Sequence, residues 1–354
     1  MTSYFRPGMR PRPPLQLGLV GFGRLARKYY VPALRALNVV SLSAVVDPLE
    51  ASREAARAAF PGIATLADPG ALLTRRLDGI IVASPPSTHL ALWNLAAGAG
   101  LPVLLEKPFA LRGELAQAAS GERERRLLML DLNRRFWPPY RRIRESVRAG
   151  LVGDLEFVEI WLHVDIRPWC SVTSHRLQLG EGGVLYDLGS QAVDLARWIT
   201  GREPREVSAS SESHRWENDR VLVELGFEGG LRAHCDLAYT ERGVERVVVE
   251  GRRGRMQLFD PNMAVHLGRR GKAGRSPLGC GRDLFVLCYR GLRRSRSMMR
   301  YTVAAALAAF TDSIRWGLPL SPGFEDAAAN ATWLDAAARA MELGVPVDPG
   351  QPPP

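Results

Sequence analysis

Lysine is nearly missing from this chain. Of its 47 basic residues only three are lysines (Lys28, Lys107 and Lys272), and the other 44 are arginines. Arginine keeps its proton in proteins, whereas burial and neighbours tune a lysine into a proton donor or acceptor. A lysine retained in such a composition points to chemistry. Lys107 follows the apolar run Leu101-Pro102-Val103-Leu104-Leu105 and sits inside Glu106-Lys107-Pro108. The competing reading is a surface lysine in a turn fixed by Pro108.

Cysteine is scarce as well. Cys170, Cys235, Cys280 and Cys288 have neither metal-ligand nor redox spacing, so no thiolate metal site is expected. The apolar neighbours of Cys235 and Cys288 read as those of buried thiols. No apolar run is long enough to span a bilayer. The Pro- and Arg-rich opening, Met1 to Gln16, has neither the apolar core nor the twin arginines of an export signal. The expectation is a cytoplasmic protein with no membrane contact and frayed tails over 1–14 and 346–354.

Acids are short in one stretch. Between Arg269 and Arg300 ten basic residues meet a single acid, Asp283, which gives +9 of the chain's net +10. That confines the excess charge to one basic insertion, 269–300, and argues against a nucleic-acid surface across the protein. The insertion is broken by Leu284-Phe285-Val286-Leu287-Cys288-Tyr289. Its open readings are a solvated loop, a site for an anionic substrate such as a sugar phosphate, and a contact with an acidic membrane surface. Of the functional ones the anionic substrate is preferred, because arginine forks match phosphate geometry.

At 354 residues two domains are the default. Over 15–132 short apolar runs (Leu15 to Val20, Val40 to Val46, Gly79 to Ala83, Leu101 to Leu105, Leu127 to Leu132) alternate with helical stretches such as Leu49 to Phe60 and Thr88 to Ala97. Continuous apolar strands alternating with helices predict a parallel sheet covered on both faces, with Pro32 ending or kinking the first helix. Over 133–345 the rhythm changes to a helix near Tyr140 to Ala149, a strand Leu155 to Ile166 and a helix Gln191 to Trp198. Strand patterns Glu206 to Ser210, Val221 to Phe227, Leu231 to Leu237, Val244 to Val249 and Arg255 to Phe259 follow, then helices Val303 to Trp316 and Phe324 to Leu343. Gly-containing turns between several of those strands suit antiparallel neighbours.

Four motifs carry chemistry. Gly21-Phe22-Gly23-Arg24-Leu25-Ala26 follows the first strand as G-x-G-x-x-A. There the glycines allow a tight turn and a close approach of backbone amides to a pyrophosphate, and Ala26 allows tight helix–strand packing. Asp47 ends the second strand, placed to accept from an adenosine ribose diol, which favours NAD over NADP. Arg53 leaves NADP open, against its plainer role on an exposed helix face. Ser84-Pro85-Pro86-Ser87-Thr88-His89 follows a third strand into the crevice where such sheets bind ligands. Ser87 and Thr88 read equally as helix caps, and His89 as a first-turn histidine or a site residue. Last comes Glu181-Gly182-Gly183-Val184-Leu185-Tyr186-Asp187-Leu188-Gly189-Ser190-Gln191-Ala192-Val193-Asp194. Asp187 and Asp194, seven apart, would share a face of one helix, with an N-cap role for Asp187 and an Asp194–Arg197 pair as the plainer readings.

Taken in order, Gly21 to Ala26, Ser84 to His89, Glu106-Lys107-Pro108 and the G-G-x-x-x-D-x-G-x-x-x-x-D run resemble the glucose–fructose oxidoreductase, inositol dehydrogenase and rhizopine-catabolism (Gfo/Idh/MocA) family, over roughly Leu15 to Val345. The resemblance implies an α/β protein: an N-terminal Rossmann domain, then a C-terminal α/β domain with an open, mostly antiparallel sheet used for homo-oligomer contacts. It implies an NAD(P)-dependent oxidoreductase passing a hydride between nicotinamide and a carbinol carbon of a sugar, keto-sugar or cyclitol. Lys107 would be the catalytic lysine of the family's E-K-P motif, its ammonium made more acidic by desolvation and the cofactor's charge. Asp187 and Gln191 would position the substrate. The dinucleotide would meet Gly21, Phe22, Gly23, Arg24, Leu25, Asp47, Ser84, Pro85, His89, Glu106 and Lys107. One position departs: Gln191 stands where the family pattern D-x-G-x-H-x-x-D has its histidine. A glutamine amide orients a hydroxyl but exchanges no proton near neutral pH. Either Lys107 works alone, or a group such as Tyr186 helps, or the protein binds dinucleotide in a structural or regulatory role with little catalysis.

Overall fold

The computed structural model describes residues 13–118, 121–167, 183–240, 242–259, 265–269, 272–277 and 298–350. Most of the basic insertion, Cys170, Cys280, Cys288, Glu181 and Gly182 lie outside them.

The first sheet contains β1 (Leu15–Val20), β2 (Val40–Val46), β3 (Ala64–Leu66), β4 (Gly79–Val82), β5 (Val103–Leu105) and β6 (Leu128–Leu130). Their order is β3-β2-β1-β4-β5-β6, every pair parallel. Successive residues feed opposite layers. Leu17, Leu19, Val45, Ile81, Leu104 and Met129 pack into one core, and Val20, Val46, Val82, Val103, Leu105, Leu128 and Leu130 into the other. Both faces are dry where the strands are buried, so those positions are apolar on both sides. Burying one such side chain fully contributes about 1.5–3 kcal/mol. The strand order reverses direction between β1 and β4, which opens a crevice at their C-terminal ends.

The chain leaves β1 through a π-turn, Ala26–Tyr30, into α1 (Val31–Ala36). Here Pro32 does not end the helix. The helical run continues from 24 to 36, and the π-turn, in which the Val31 N–H reaches back to the Ala26 carbonyl, absorbs the break in the ladder that Pro32 makes. Further along lie α2 (Glu50–Ala59), α3 (His89–Gly98) and α4 (Glu122–Arg125).

The second sheet has eight strands: β7 (Leu155–Val164), β8 (Pro204–Glu212), β9 (Arg220–Phe227), β10 (Arg232–Tyr239), β11 (Val244–Gly251), β12 (Gly254–Phe259), β13 (Val265–Arg269) and β14 (Lys272–Pro277). They lie in the order β14-β13-β12-β11-β7-β10-β9-β8, antiparallel except for β7 beside β10. One face packs under α5 (Pro138–Arg148), α6 (Ser190–Thr200) and the second half of α8 (Phe324–Leu343). The opposite face carries the half-buried Trp161 and His163, whose rings stack at 5.7 Å. The C-terminal helices also return to the first sheet. Val303, Ala306, Leu307 and Phe310 of α7 (Met298–Trp316) join one of its layers, and Phe324, Ala327 and Ala331 of α8 join the other. That shared packing holds the crevice edge of the first sheet against α6.

Candidate active site

Gly21 and Gly23 do different work in the turn after β1. Gly21 has φ +87°, and a Cβ there would lie 2.6 Å from the Ala83 carbonyl oxygen. Only glycine fits, by backbone angle and by space. A Cβ on Gly23 would meet nothing within 4 Å. Its missing side chain leaves an open cradle beside the turn, which is what close approach of a bulky phosphate requires. Phe22 is a core residue. Its ring is fully buried, and its amide donates to Asp47 Oδ2 at 2.8 Å. Arg24 and Leu25 are half-buried at the mouth.

Asp47 ties the ends of β1 and β2 together, since its Oδ1 also accepts from the Leu49 amide at 3.0 Å. A carboxylate offers about four acceptor positions, so two remain for a diol. Arg53 donates to the carbonyls of Asp47 (2.7 Å) and Pro48 (2.8 Å) and pairs with Glu50. It is thus bound into the loop that holds Asp47.

After β4, Ser84 Oγ lies 2.6 Å from Thr88 Oγ1, which donates to the Pro85 carbonyl at 2.8 Å. Neither Ser87 nor Thr88 caps α3 with its side chain, because Thr88 spends its hydroxyl on this turn and a 3₁₀ turn, Pro86–Thr88, precedes the helix. His89 is buried. Its Nδ1 lies 2.7 Å from the Pro108 carbonyl and its Nε2 2.9 Å from that of Ser84. Burial lowers its pKa, against the pull of those two carbonyls. The ring therefore acts as a clamp between the loops after β4 and β5, and it fixes the peptide that carries Lys107.

Lys107 Nζ donates to the Asp187 backbone carbonyl at 2.7 Å and forms an ion pair with Asp187 Oδ1. Both side chains are nearly buried, 13% and 12% exposed. Asp187 lies in a π-turn, Leu185–Gly189, that leads into α6. Val184, not Asp187, holds the N-cap position of that turn, and the wider turn breaks the helical register with Asp194. Asp194 is buried and paired with Arg135, not Arg197; Arg197 is held by Glu203 at 2.7 Å. Asp187 Oδ2 accepts from the Tyr239 hydroxyl at 3.1 Å. Tyr239 ends β10, 52 residues along the chain from Asp187, and no motif announced it.

Gln191 follows one turn after Asp187. It is 1% exposed, and neither atom of its amide has a hydrogen-bond partner among the described residues. A buried amide left unpaired costs about 1–3 kcal/mol, and such costs collect where a ligand completes the bonding. Tyr186 faces away, among Asp335, Arg112, Glu114 and Glu342, and burial raises its phenol. Glu106 also turns inward. Tyr30 Oη lies 3.0 Å from Glu106 Oε1 and 2.9 Å from Asp131 Oδ2, and all three residues are buried. Tyr30 and Asp131 were likewise unmarked by any motif. Among the described residues no three side chains are grouped to hold a metal.

Two family models account for most of this architecture. One, an oxidoreductase family with an NAD-binding Rossmann fold, matches residues 15–128. The other, the GFO/IDH/MocA C-terminal domain, matches 140–257. The chain belongs to the Gfo/Idh/MocA oxidoreductase family. It is 31% identical to the rhizopine catabolism protein MocA of Rhizobium meliloti over 232 residues, 65% of this chain and 69% of that one. It is 26% identical to an inositol 2-dehydrogenase of R. meliloti strain 1021, over 92% of this chain and 97% of that one. Among solved structures, a myo-inositol dehydrogenase from Corynebacterium glutamicum superimposes with a TM-score of 0.76 at 23% identity, covering 96% of this chain and all of that one. An Agrobacterium radiobacter oxidoreductase in complex with NAD+, L-tartaric acid and magnesium gives 0.77 at 20% identity, covering 95% and 98%.

The chain is thus an oxidoreductase built on an NAD-binding Rossmann fold. The open cradle at Gly23 and the spare acceptor positions of Asp47 fit a dinucleotide.

Proposed function

We propose that this Gfo/Idh/MocA oxidoreductase interconverts a carbinol and a carbonyl on a sugar, keto-sugar or cyclitol. The observation that carries this reading is the Lys107–Asp187 pair beside the unpaired Gln191 amide. When bound, NAD supplies the hydride acceptor. The chain's own residues handle the proton and the alignment. A substrate hydroxyl entering beside Lys107 replaces one of the two bonds that Nζ makes to Asp187. Lys107, with Asp187 behind it, is then the group at hand to exchange the hydroxyl proton, and Tyr239 holds the far oxygen of Asp187 in place. Gln191 offers one donor and one acceptor, which matches a neighbouring hydroxyl pair and selects a polyol over a simple alcohol.

The acid at Asp47 supports NAD over NADP, since it would meet a 2′-phosphate as a like charge. Gln191 also favours a second reading, dinucleotide binding with little turnover, because it carries no exchangeable proton. Titrating NADH and NADPH by fluorescence, then assaying turnover over a panel of cyclitols, aldoses and their phosphates, tests both. Turnover of a cyclitol or sugar with NAD+ is expected. Tight dinucleotide binding with no turnover across the panel gives the second reading. The face of the second sheet that carries Trp161 and His163 is the surface proposed for self-association, which sedimentation would register.

A further inference from the structure

Tyr30, Glu106 and Asp131 come from three separate elements: the π-turn after β1, the end of β5 and the end of β6. The Glu106 amide donates to the Val82 carbonyl and the Asp131 amide to the Leu105 carbonyl, so both carboxyls hang from the C-terminal edge of the first sheet. The Tyr30 hydroxyl lies 3.0 Å from one carboxyl and 2.9 Å from the other. A phenol has one hydrogen to give. If both carboxyls were ionised, one of these two contacts would set lone pair against lone pair in a fully buried site. A proton on one carboxyl removes the conflict: the phenol donates to the carboxylate and accepts from the acid.

A second observation agrees. The two carboxyls also act on each other through a side-chain hydrogen bond, which needs a proton on one of them, and Asp131 Oδ1 has no partner of good geometry among the described residues. The charged and titratable groups around the trio are few. Lys107 is next to Glu106, and His89 clamps the Pro108 carbonyl. Arg134 and Arg135, close after Asp131, are engaged by Glu245 and Asp194. Burial, the largest influence on each carboxyl, raises both. Lys107 opposes the rise at Glu106, whereas Glu106 adds to it at Asp131.

We infer that Tyr30, Glu106 and Asp131 form a proton-sharing unit that holds one negative charge, not two, behind Lys107. These three are positioning residues. Glu106, anchored inward, turns the next residue, Lys107, outward to Asp187. A second buried charge would draw the ammonium away from Asp187 and from any substrate. The role in turnover rests on Lys107 working as proposed above; the shared proton does not.

The infrared spectrum of the intact protein at neutral pH, with and without NAD, reads the proton directly. A carboxylic-acid carbonyl band is expected in the parent, and its loss in Asp131→Asn and equally in Glu106→Gln, since each single amide leaves the other carboxyl ionised. No such band in the parent, or a band that survives in either single variant, overturns the proposal. Turnover separates the role from the chemistry. Asp131→Asn should keep kcat within about threefold and leave its pH profile in place, whereas the double variant with Glu106→Gln, which loses the charge, should lose at least about tenfold and shift that profile. An Asp131→Asn variant as damaged as the double, or a double variant with an unchanged profile, would also overturn it. If the double variant does not fold, the parent and single variants still decide. An absence of turnover on every substrate would count against the enzymatic reading and leave the infrared result to stand by itself.

Discussion

Lys107 and Asp187 are 80 residues apart, and their ion pair, backed by a 2.7 Å bond from Nζ to the Asp187 carbonyl, joins the two sheets of the molecule. Replacing Lys107 by Met keeps the length of the side chain and removes both the charge and the proton. Turnover should fall by about 10²–10⁴-fold, the usual contribution of a general acid–base group. Dinucleotide affinity, set by the turn at Gly21 to Gly23, should hold. Steady-state kinetics and a fluorescence titration check the two parts, and unchanged kcat would take Lys107 out of the reaction.

The two glycines of the fingerprint should separate folding from binding. Gly21→Ala forces a Cβ to 2.6 Å from a backbone oxygen at positive φ. It should destabilise the fold by about 2 kcal/mol or more. Gly23→Ala meets no protein atom, so its stability should change by no more than about 1 kcal/mol while NADH affinity drops. Urea unfolding and NADH titration on the two variants give a crossed result, and equal loss of affinity without loss of stability in both would contradict it.

Gln191→Leu removes a buried amide that has no partner among the described residues. Without substrate the variant should be more stable than the parent by about 1 kcal/mol, and its turnover should be lower. Gln191→His places a group titrating near pH 6.5 in ordinary surroundings at the same position, and turnover should fall there too, because the ring cannot present the amide's paired donor and acceptor. Two substitutions that leave both rate and pH profile untouched would place Gln191 outside the reaction.

On the other face of the second sheet Asp236 is held by His163 at 3.2 Å and Arg220 at 2.9 Å. Burial alone would raise its pKa, but the contacts with His163 and Arg220 outweigh it and hold the carboxyl well below the usual range. Its stabilisation is complete above the unfolded value of about 3.9 and is lost as pH falls through the lower folded value. Asp236→Asn should therefore lose stability at neutral pH and show a shallower decline below about pH 4. Thermal unfolding across that range measures the difference, and parallel curves for parent and variant would sink the assignment.

Much of the fold was written in local pattern. Five apolar runs, each bounded by helical stretches, were enough to imply a parallel sheet, because strands dry on both faces need apolar residues on both sides. Gly21 was legible for a similarly local reason: a single residue's φ angle decides what fits there. The short β3, Ala64–Leu66, was not. Three residues carry too little periodicity to separate from a turn.

Lys107, Asp187 and Gln191 were named from motifs, but their relations were not contained in the sequence. Spacing placed Asp187 with Asp194 on one helix face; a π-turn moved them apart, since a change of helical register is a compromise with surrounding packing. Tyr239, Tyr30 and Asp131 carried no signal at all, because each reaches its partner from a different element and acts only once burial removes water. The sequence by itself determined the parallel sheet and the glycine turn, and it singled out Lys107. Only the tertiary structure decided which groups face that lysine. Hydrogen bonds and ion pairs depend on side chains meeting within about 3 Å, and that proximity comes from the packing of two sheets rather than from any local run of residues.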